Sequence, residues 1–358
     1  MNNKRLLGQF YTTNYDYILQ NMRIPEGISA IIEPFAGNGD LLNFIKDEDK
    51  DKYDITCYDI EPKQDFIIQR DTLLHPPNLD DAFVITNPPY LARNKCDNKE
   101  VFDKYKTNDL YKCFLQILMG SRCVGGILIV PLNFLCSIRK GDIEIRERFI
   151  KKYDITLCNI FEEQVFKDTS YSICSLQFRA RQMATAVAAS ATPTECHIYP
   201  SNKHIRFTLS PANNYTIGGE IYNLRKNKKY KIDRATRLLS NVEDFTNILV
   251  KCIDDNRDST IGLSIVDDLT KDKYIDRTPN LTARSYAVLV IEPKITLEEQ
   301  RELVNQFNAF MTEHRDRYNS LFLTNYRESN TIARKRISFG LVYDICGYLL
   351  SSPSSLRT

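Results

Sequence analysis

The sequence predicts an α/β fold built on a mainly parallel sheet. Apolar, strand-like runs alternate with helical patterns over the first half of the 358 residues, as in chains whose parallel strands are joined by helices. The run from Gly125 to Pro131 is apolar throughout, which is typical of a central strand covered on both faces. A glycine-containing turn directly follows the first strand. We interpret residues 1–182 as a domain with seven strands, 183–196 as a linker or exposed excursion, and 197–358 as a smaller α+β region.

The first strand is predicted from Ile28 to Glu33, and it leads into the turn Pro34-Phe35-Ala36-Gly37-Asn38-Gly39. The two glycines allow backbone to pass close to a ligand at the carboxyl end of the strand. Leu42 occupies the place of the third glycine of a dinucleotide fingerprint. Glu33 could receive an ammonium group, so this turn favours a cationic cofactor over a dinucleotide.

The second strand, Asp54 to Tyr58, ends on Asp59-Ile60-Glu61. A carboxylate about 20 residues beyond the glycines can accept hydrogen bonds from ribose hydroxyls. Asp59 is the first candidate and Glu61 the second, while a merely solvated strand end remains the alternative. The next acidic loop offers Asp71 and Thr72, where Asp71 could accept from an adenine amino group.

The fourth strand ends in the corner Asn87-Pro88-Pro89-Tyr90. Proline has no N–H and a fixed φ, so the chain leaves the sheet stiff and extended. The Asn87 oxygen and the Pro88 carbonyl could accept the two hydrogens of a planar exocyclic amine, and Tyr90 could stack on the ring. An isolated Asn-Pro-Pro could also be a simple turn.

Together, the segment Glu33 to Leu42 and the corner Asn87 to Tyr90 resemble the motifs of S-adenosylmethionine-dependent amino methyltransferases. The resemblance is closest to DNA adenine methyltransferases whose cofactor motif precedes the catalytic motif. It implies a Rossmann-like class I sheet whose seventh strand is antiparallel, S-adenosylmethionine without a metal, and an adenine flipped out of double-stranded DNA. Such enzymes often belong to restriction-modification systems.

The resemblance also assigns roles to residues of this chain. The segment Gly8-Gln9-Phe10-Tyr11-Thr12 would close over the cofactor, and Phe166 would supply a second ring against the flipped base. The catalytic set is then Asn87, Pro88, Tyr90 and Phe166. The implied cofactor set is Tyr11, Thr12, Glu33, Pro34, Ala36, Gly37, Gly39, Asp59, Ile60, Asp71, Thr72 and Asn87.

The region after residue 197 lies where this family places target recognition. Residues 1–199 carry 24 Lys and Arg against 27 Asp and Glu, and residues 200–358 carry 24 against 19. A basic second part suits a DNA partner, although a solvated face gives a similar count. The residues expected to contact DNA are Arg93, Lys95, Arg327, Arg334, Lys335 and Arg336.

Other functional classes are disfavoured. The ten cysteines stand singly, the four histidines show no metal spacing, and no apolar run approaches the roughly 18 residues of a membrane span. We therefore expect free thiols, no metal, no membrane partner and a cytoplasmic location. The alternatives that stay open are a glutamine-amide methyltransferase acting on a release factor, an RNA adenine methyltransferase, and a cofactor-binding scaffold without activity. The recognised site and the oligomeric state are open as well.

Overall fold

The structure is a computed structural model that describes residues 12–166, 172–181, 192–236, 245–255, 259–275, 285–326 and 334–351. Two compact units divide the chain between Ser210 and Pro211.

The first unit is built on a nine-stranded sheet with the order β3-β2-β1-β4-β5-β7-β6-β8-β9. Strands β3, β2, β1, β4 and β5 run parallel, β7 is antiparallel to both β5 and β6, β8 is parallel to β6, and β9 is antiparallel to β8. The strands are β1 (Ala30–Glu33), β2 (Asp54–Asp59), β3 (Ile67–Gln69), β4 (Phe83–Thr86), β5 (Gly125–Pro131), β6 (Tyr153–Phe161), β7 (Ile173–Ala180), β8 (Thr194–Tyr199) and β9 (Lys203–Phe207).

Helices of very different length connect these strands. The helix Leu110–Gly120 is apolar on most of its faces because most of its residues are buried. Its side chains at Phe114, Leu115 and Leu118 are fully buried. The helices are α1 (Tyr15–Ile18), α2 (Asp47–Lys50), α3 (Glu100–Tyr105), α4 (Leu110–Gly120), α5 (Asn133–Cys136) and α6 (Lys140–Lys152), with 3₁₀ turns at Asp40–Phe44 and Arg93–Lys95.

The register of the sheet brings three strand ends together. Glu33 lies opposite Cys57 of β2, and Ile32 lies opposite Val84 of β4. Because these strands are parallel and adjacent, their carboxyl ends meet at one edge of the sheet. The turns that follow β1, β2 and β4 therefore share this edge.

The predicted α/β class and the antiparallel seventh strand are confirmed. The sheet is larger than expected, however, because β8 and β9 extend it beyond β6. Residue 197, the expected start of the second region, lies inside β8, and the first unit continues to Ser210. Residues Thr194–Tyr199 have the burial pattern of a strand. In the sequence this short strand is difficult to recognise because a low-complexity run adjoins it.

The second unit is an α+β arrangement around a four-stranded antiparallel sheet with the order β10-β13-β11-β12. Its core includes Phe245, Leu249, Val288 and Val290. The strands are β10 (Lys231–Arg234), β11 (Phe245–Lys251), β12 (Gly262–Ile265) and β13 (Tyr286–Glu292). The hairpin of β14 (Thr324–Tyr326) and β15 (Arg334–Arg336) forms a separate ladder, and Arg336 bridges to Ile253 just after β11.

Three helices accompany these strands: α7 (Asp268–Lys273), α8 (Leu297–Tyr318) and α9 (Phe339–Ser351). The capping box predicted at Thr296 is present, since its side chain accepts from the Glu299 amide while the Glu299 carboxylate accepts from the Thr296 amide. Across the described residues, no helix combines the length and apolar character that crossing a membrane requires.

Candidate functional site

A cavity of about 240 Å³ lies where β1, β2 and β4 end. Its walls come from the turn after β1, the acidic end of β2, the loop after β3 and the corner after β4. The structure therefore brings much of the predicted cofactor set to one place. The predicted residues that line the cavity are Thr12, Glu33, Ala36, Gly37, Asp59, Ile60, Asp71, Thr72 and Asn87.

The glycine turn has the left-handed backbone that its sequence predicts, with φ of +56° at Gly37 and +83° at Gly39. A Cβ atom at Gly39 would lie 2.9 Å from the Phe66 ring, so a side chain there would also displace this ring. Gly39 shapes the turn without lining the cavity, and only Gly37 of the two faces it.

Asp59 holds this turn against β2. Its Oδ2 accepts from the Gly37 amide at 2.8 Å, and its Oδ1 accepts from the Glu61 amide at 2.8 Å. A carboxylate oxygen can accept more than one hydrogen bond, so a ligand hydroxyl remains a chemically suitable donor to Asp59. The second candidate at this strand end, Glu61, pairs with Lys63 at 3.6 Å and is not part of the cavity wall.

The loop after β3 is fixed by its own backbone. Asp71 Oδ1 accepts from the amides of Leu73 and Leu74, at 3.0 and 3.1 Å. The Thr72 hydroxyl donates to the Pro34 carbonyl at 2.8 Å. Pro34 does not line the cavity. Its carbonyl nevertheless links the turn after β1 to the loop after β3 through this hydrogen bond.

Two carboxylates in the cavity wall each have one oxygen without a hydrogen-bond partner among the described residues. Glu33 Oε2 and Asp40 Oδ2 are buried, and neither has a hydrogen bond to any part of the chain that the structure describes. Glu33 is only 1% exposed. Burial, followed by the charges of Asp40 and Asp59, raises the pKa of Glu33 well above its ordinary value.

The corner after β4 presents a buried amide whose orientation is fixed from two sides. Asn87 Nδ2 donates to Thr12 Oγ1 at 3.1 Å, and the Tyr90 hydroxyl donates to Asn87 Oδ1. The same hydroxyl lies 2.7 Å from the Ile129 carbonyl oxygen of β5. Thr12 and Tyr90 thus hold the Asn87 amide from both of its ends.

The two predicted aromatic residues are both buried. Tyr90 is 2% exposed, its ring packs edge-on against Tyr111, and it is not part of the cavity wall. Phe166 is likewise buried. Pro88 is buried next to Asn87 without lining the cavity. Stacking of either ring on a base would require movement of the ring, and this role stays a prediction.

The residues expected to contact DNA lie in three settings. Arg93 forms an ion pair with Asp103, and Lys95 is exposed at the end of the same 3₁₀ turn. Lys335 Nζ donates to the Asn319 carbonyl at 3.0 Å. Arg334 and Arg336 belong to β15, opposite Tyr326 and Thr324. Tyr11 and Arg327 lie outside the described residues.

Several residues of the cavity wall were missed from the sequence. The polar segment 92–103 contains the first part of α3 and contributes Val101 and Phe102 to the wall. Asp40 was interpreted only as the start of a helix, and Arg70 only as a neighbour of Asp71. Their exposure to the cavity depends on how the turns fold over the sheet edge, for which the sequence carries no periodic signal.

The cysteines and acidic residues form no recognisable metal centre. All ten cysteines are free and only Cys96 among them is not fully buried. Within the described residues, no group of three or more His, Cys, Asp or Glu side chains is placed to hold a metal ion.

Comparison with known proteins points to one enzyme class. Residues 36–166 match the family model of the Eco57I restriction-modification methylase. The matched stretch is less than half of the chain, and it begins in the glycine turn and includes the Asn87 corner. Over these residues the chain is similar to restriction-modification methylases. No curated protein matches the chain.

Solved structures with a related fold include three modification proteins. A chain described as a modification subunit of a type I restriction enzyme from Vibrio vulnificus YJ016 is 19% identical, with a TM-score of 0.39, and 53% of this chain aligns with 47% of that one. A type I methyltransferase subunit from Streptococcus thermophilus is 15% identical, with a TM-score of 0.38, and 53% of this chain aligns with 47% of that one. The M protein of EcoKI is 15% identical, with a TM-score of 0.38, and 60% of this chain aligns with 53% of that one. The chain thus spans about half the length of these proteins.

Proposed function

We propose that this chain is an S-adenosylmethionine-dependent methyltransferase that methylates the exocyclic amino group of adenine in DNA. The observation that carries the proposal is the shared cavity: the Asn87 amide, the Gly37 turn and the Glu33 carboxylate all line it. An acceptor for an amine and a receptor for a cation therefore lie within one enclosed space. The match of residues 36–166 to restriction-modification methylases supports this assignment.

The cavity wall fits the proposed cofactor in several respects. The buried oxygen of Glu33 that lacks a partner suits the cofactor's ammonium group, and the Asp59 and Asp71 carboxylates suit hydroxyl and amino donors. The Gly37 backbone permits close approach. When bound, the cofactor would supply an electrophilic methyl group on a positively charged sulfur.

Asn87 would orient the substrate. Adenine N6 is a weak nucleophile because its lone pair is delocalised into the ring. Asn87 Oδ1 accepts from the Tyr90 hydroxyl, and an amide oxygen can accept two hydrogen bonds, so an N6 hydrogen of adenine is a suitable further donor. Holding this hydrogen favours a more tetrahedral nitrogen with its lone pair aimed at the methyl group. Transfer is then one in-line displacement, and the proton leaves to water afterwards.

DNA is proposed as the substrate on the basis of the methylase match and the basic second part of the chain. Adenine within a duplex is stacked, so it must leave the helix before it can reach a buried amide. Residues from 211 onward, including Lys335 and Arg336, would contribute phosphate contacts and target recognition.

The proposal is tested by incubating the protein with duplex DNA and S-adenosylmethionine labelled on its methyl group, followed by nucleoside analysis. We expect labelled N6-methyladenine at defined sequence positions. Label only on cytosine N4 would retain the amine mechanism but overturn the choice of adenine. Label only on RNA or on a glutamine of a release factor would replace DNA as the substrate. No transfer to any of these would contradict the proposal.

A further inference from the structure

The cavity contains a second carboxylate that none of the assignments above uses. Glu33 ends β1, and Asp40 begins the 3₁₀ turn Asp40–Phe44 on the far side of the glycine bend. Both line the cavity. Because Gly37 and Gly39 have left-handed backbone, the chain reverses between these two acids. Their side chains therefore share one space although they belong to different elements.

Both acids carry a buried oxygen without a hydrogen bond in the described part of the chain. Other buried carboxylates of this unit are satisfied: Asp59 accepts from two backbone amides, and Asp142 accepts from Lys112 and Ser137. An unpaired buried carboxylate is costly, and two in one cavity also repel each other. The pair is therefore incomplete without a positively charged group.

Among the described residues, Arg70 is the only positively charged side chain of the cavity wall, and it has other partners. Arg70 lines the cavity, but its guanidinium lies over the Tyr58 ring at 4.9 Å and donates to the carbonyls of His75 and Pro76, at 3.3 and 3.5 Å. A metal ion is a poorer fit than an organic cation, since Asp59, another acid whose charge acts on Glu33, already accepts backbone hydrogens with both oxygens. An ammonium group has three N–H donors and can bond two carboxylates at once.

We propose that Glu33 and Asp40 form a two-carboxylate receptor for the ammonium group of S-adenosylmethionine, in which Asp40 is a specificity-determining residue. This inference rests on the proposed function, because it concerns how the same cavity holds the same cofactor. It adds that recognition of the amino-acid end depends on two acids from opposite sides of the glycine turn.

Proton release upon binding follows from this arrangement. The charged and titratable groups around Glu33 are Asp40, Asp59, Asp71 and Arg70 in the cavity wall and the Cys57 thiol on β2, whose pKa is raised to about 12 by burial and then by Glu33. The raised pKa of Glu33 favours its protonated form in the ligand-free protein. An arriving ammonium group favours the carboxylate, so the Glu33 proton passes to the buffer. Cofactor affinity should rise with pH until the ligand-free pKa of Glu33 is passed.

The test compares two ligands in calorimetric titrations of the full chain. S-adenosylmethionine has the ammonium group, whereas 5′-methylthioadenosine has the same nucleoside and lacks the amino-acid end. For Asp40→Asn we expect the dissociation constant for S-adenosylmethionine to increase roughly ten- to a hundredfold, the range of a hydrogen bond to a charged group. The constant for 5′-methylthioadenosine should stay within about twofold. The exposed Asp51→Asn is the matched control and should change neither.

Two further measurements make the test decisive. Titration of the wild type in two buffers of different ionisation enthalpy should report proton release with S-adenosylmethionine and none with 5′-methylthioadenosine. Asp40→Glu, which keeps the charge, should restore most of the affinity, and thermal unfolding establishes that each variant is folded. Unchanged S-adenosylmethionine affinity in Asp40→Asn, or equal losses for both ligands, would overturn this inference while leaving the proposed function intact. A wild-type protein that binds no S-adenosylmethionine would overturn the proposed function itself.

Discussion

Each of the two units of the chain has acidic side chains with buried oxygens, and the units differ in how these carboxylates are hydrogen-bonded. In the second unit, Asp255 accepts from Arg315 Nε at 3.0 Å to each oxygen, from the Ile261 amide at 2.8 Å and from the Ser320 hydroxyl. In the first unit, Glu33 and Asp40 each have a buried oxygen without a partner in the described residues. Buried carboxylates thus occur in a closed network, where both oxygens have partners, and in an open pair, where one oxygen of each acid has none in the described residues.

This difference separates a structural role from a binding role. The Asp255 network lies within one unit and joins α8 to the segments around Ile261 and Ser320, so its charges serve the fold. The open pair around the glycine turn destabilises the ligand-free protein and becomes favourable only when a cation arrives. Under the proposed function, the open pair of acids belongs to the ligand site, whereas the Asp255 network belongs to the fold.

The largest effect should come from opening the closed network. Asp255→Ala removes the buried carboxylate that pairs with the partly buried Arg315 guanidinium, and loss of one member of a buried pair costs about 3–5 kcal/mol. Denaturant unfolding of the second unit measures this cost. The exposed Asp316→Ala on the same helix should stay within about 0.5 kcal/mol. A loss below about 1 kcal/mol for Asp255→Ala would mean that the network contributes little to the fold.

Asn87 tests the comparison from the opposite side, because Thr12 and Tyr90 hold its amide within the fold and yet the amide is assigned to function. Asn87→Ala should lower the rate of methyl transfer by about 10²- to 10³-fold, as when one oriented hydrogen-bonding group is removed from an active site. The affinity for S-adenosylmethionine should change much less. Asn87→Asp keeps an acceptor oxygen and should recover part of the rate. Near-normal transfer by Asn87→Ala would show that the amide is structural.

Thr12 should have a smaller effect through the same amide. Thr12→Val removes the acceptor of Asn87 Nδ2, and an unsatisfied buried donor costs about 1–3 kcal/mol. We expect methyl transfer to slow by roughly tenfold because the amide is no longer held in one orientation. Thr12→Ser retains the hydroxyl and should transfer at nearly the wild-type rate. Equal rates in both variants would remove Thr12 from the positioning of Asn87.

Glu33→Gln should give the smallest change in stability, with the opposite sign to Asp255→Ala. Since burial and nearby acids raise the pKa of Glu33 above its model-compound value of 4.5, the folded ligand-free protein binds more protons than the unfolded chain above that pH, and its stability falls as pH rises. The neutral variant should therefore melt at a higher temperature than wild type at pH 8 and match it near pH 4. Its affinity for S-adenosylmethionine should fall. A lower melting temperature at pH 8 would indicate that Glu33 has a partner within the fold.

Local sequence signals predicted the elements that local chemistry determines. The all-apolar β5, helix α6 and the capping box at Thr296 follow from patterns within a few residues, and the glycine turn and the Asn87 corner follow from backbone restrictions. Strands β8 and β9 were missed because a neighbouring low-complexity run dominated the composition around them.

The finer features of the site depend on contacts between distant segments. Thr12 reaches Asn87 across 75 residues, and the Tyr90 hydroxyl contacts β5 rather than the cavity. In the sequence, Asp40 resembles an ordinary first residue of a helix. Only the structure shows that it lines the same cavity as Glu33 and has a buried carboxylate oxygen. No periodicity or propensity encodes these contacts, since they arise from how the turns pack at the sheet edge.

A structure of the chain crystallised with S-adenosylhomocysteine, which shares the ammonium and nucleoside groups of the cofactor, tests the central claim most directly. The account predicts ligand density in the cavity at the ends of β1, β2 and β4, with the ligand ammonium bonded to Glu33 and the ligand sulfur facing Asn87. Ligand bound elsewhere, or a cavity without ligand at saturating concentration, would contradict it.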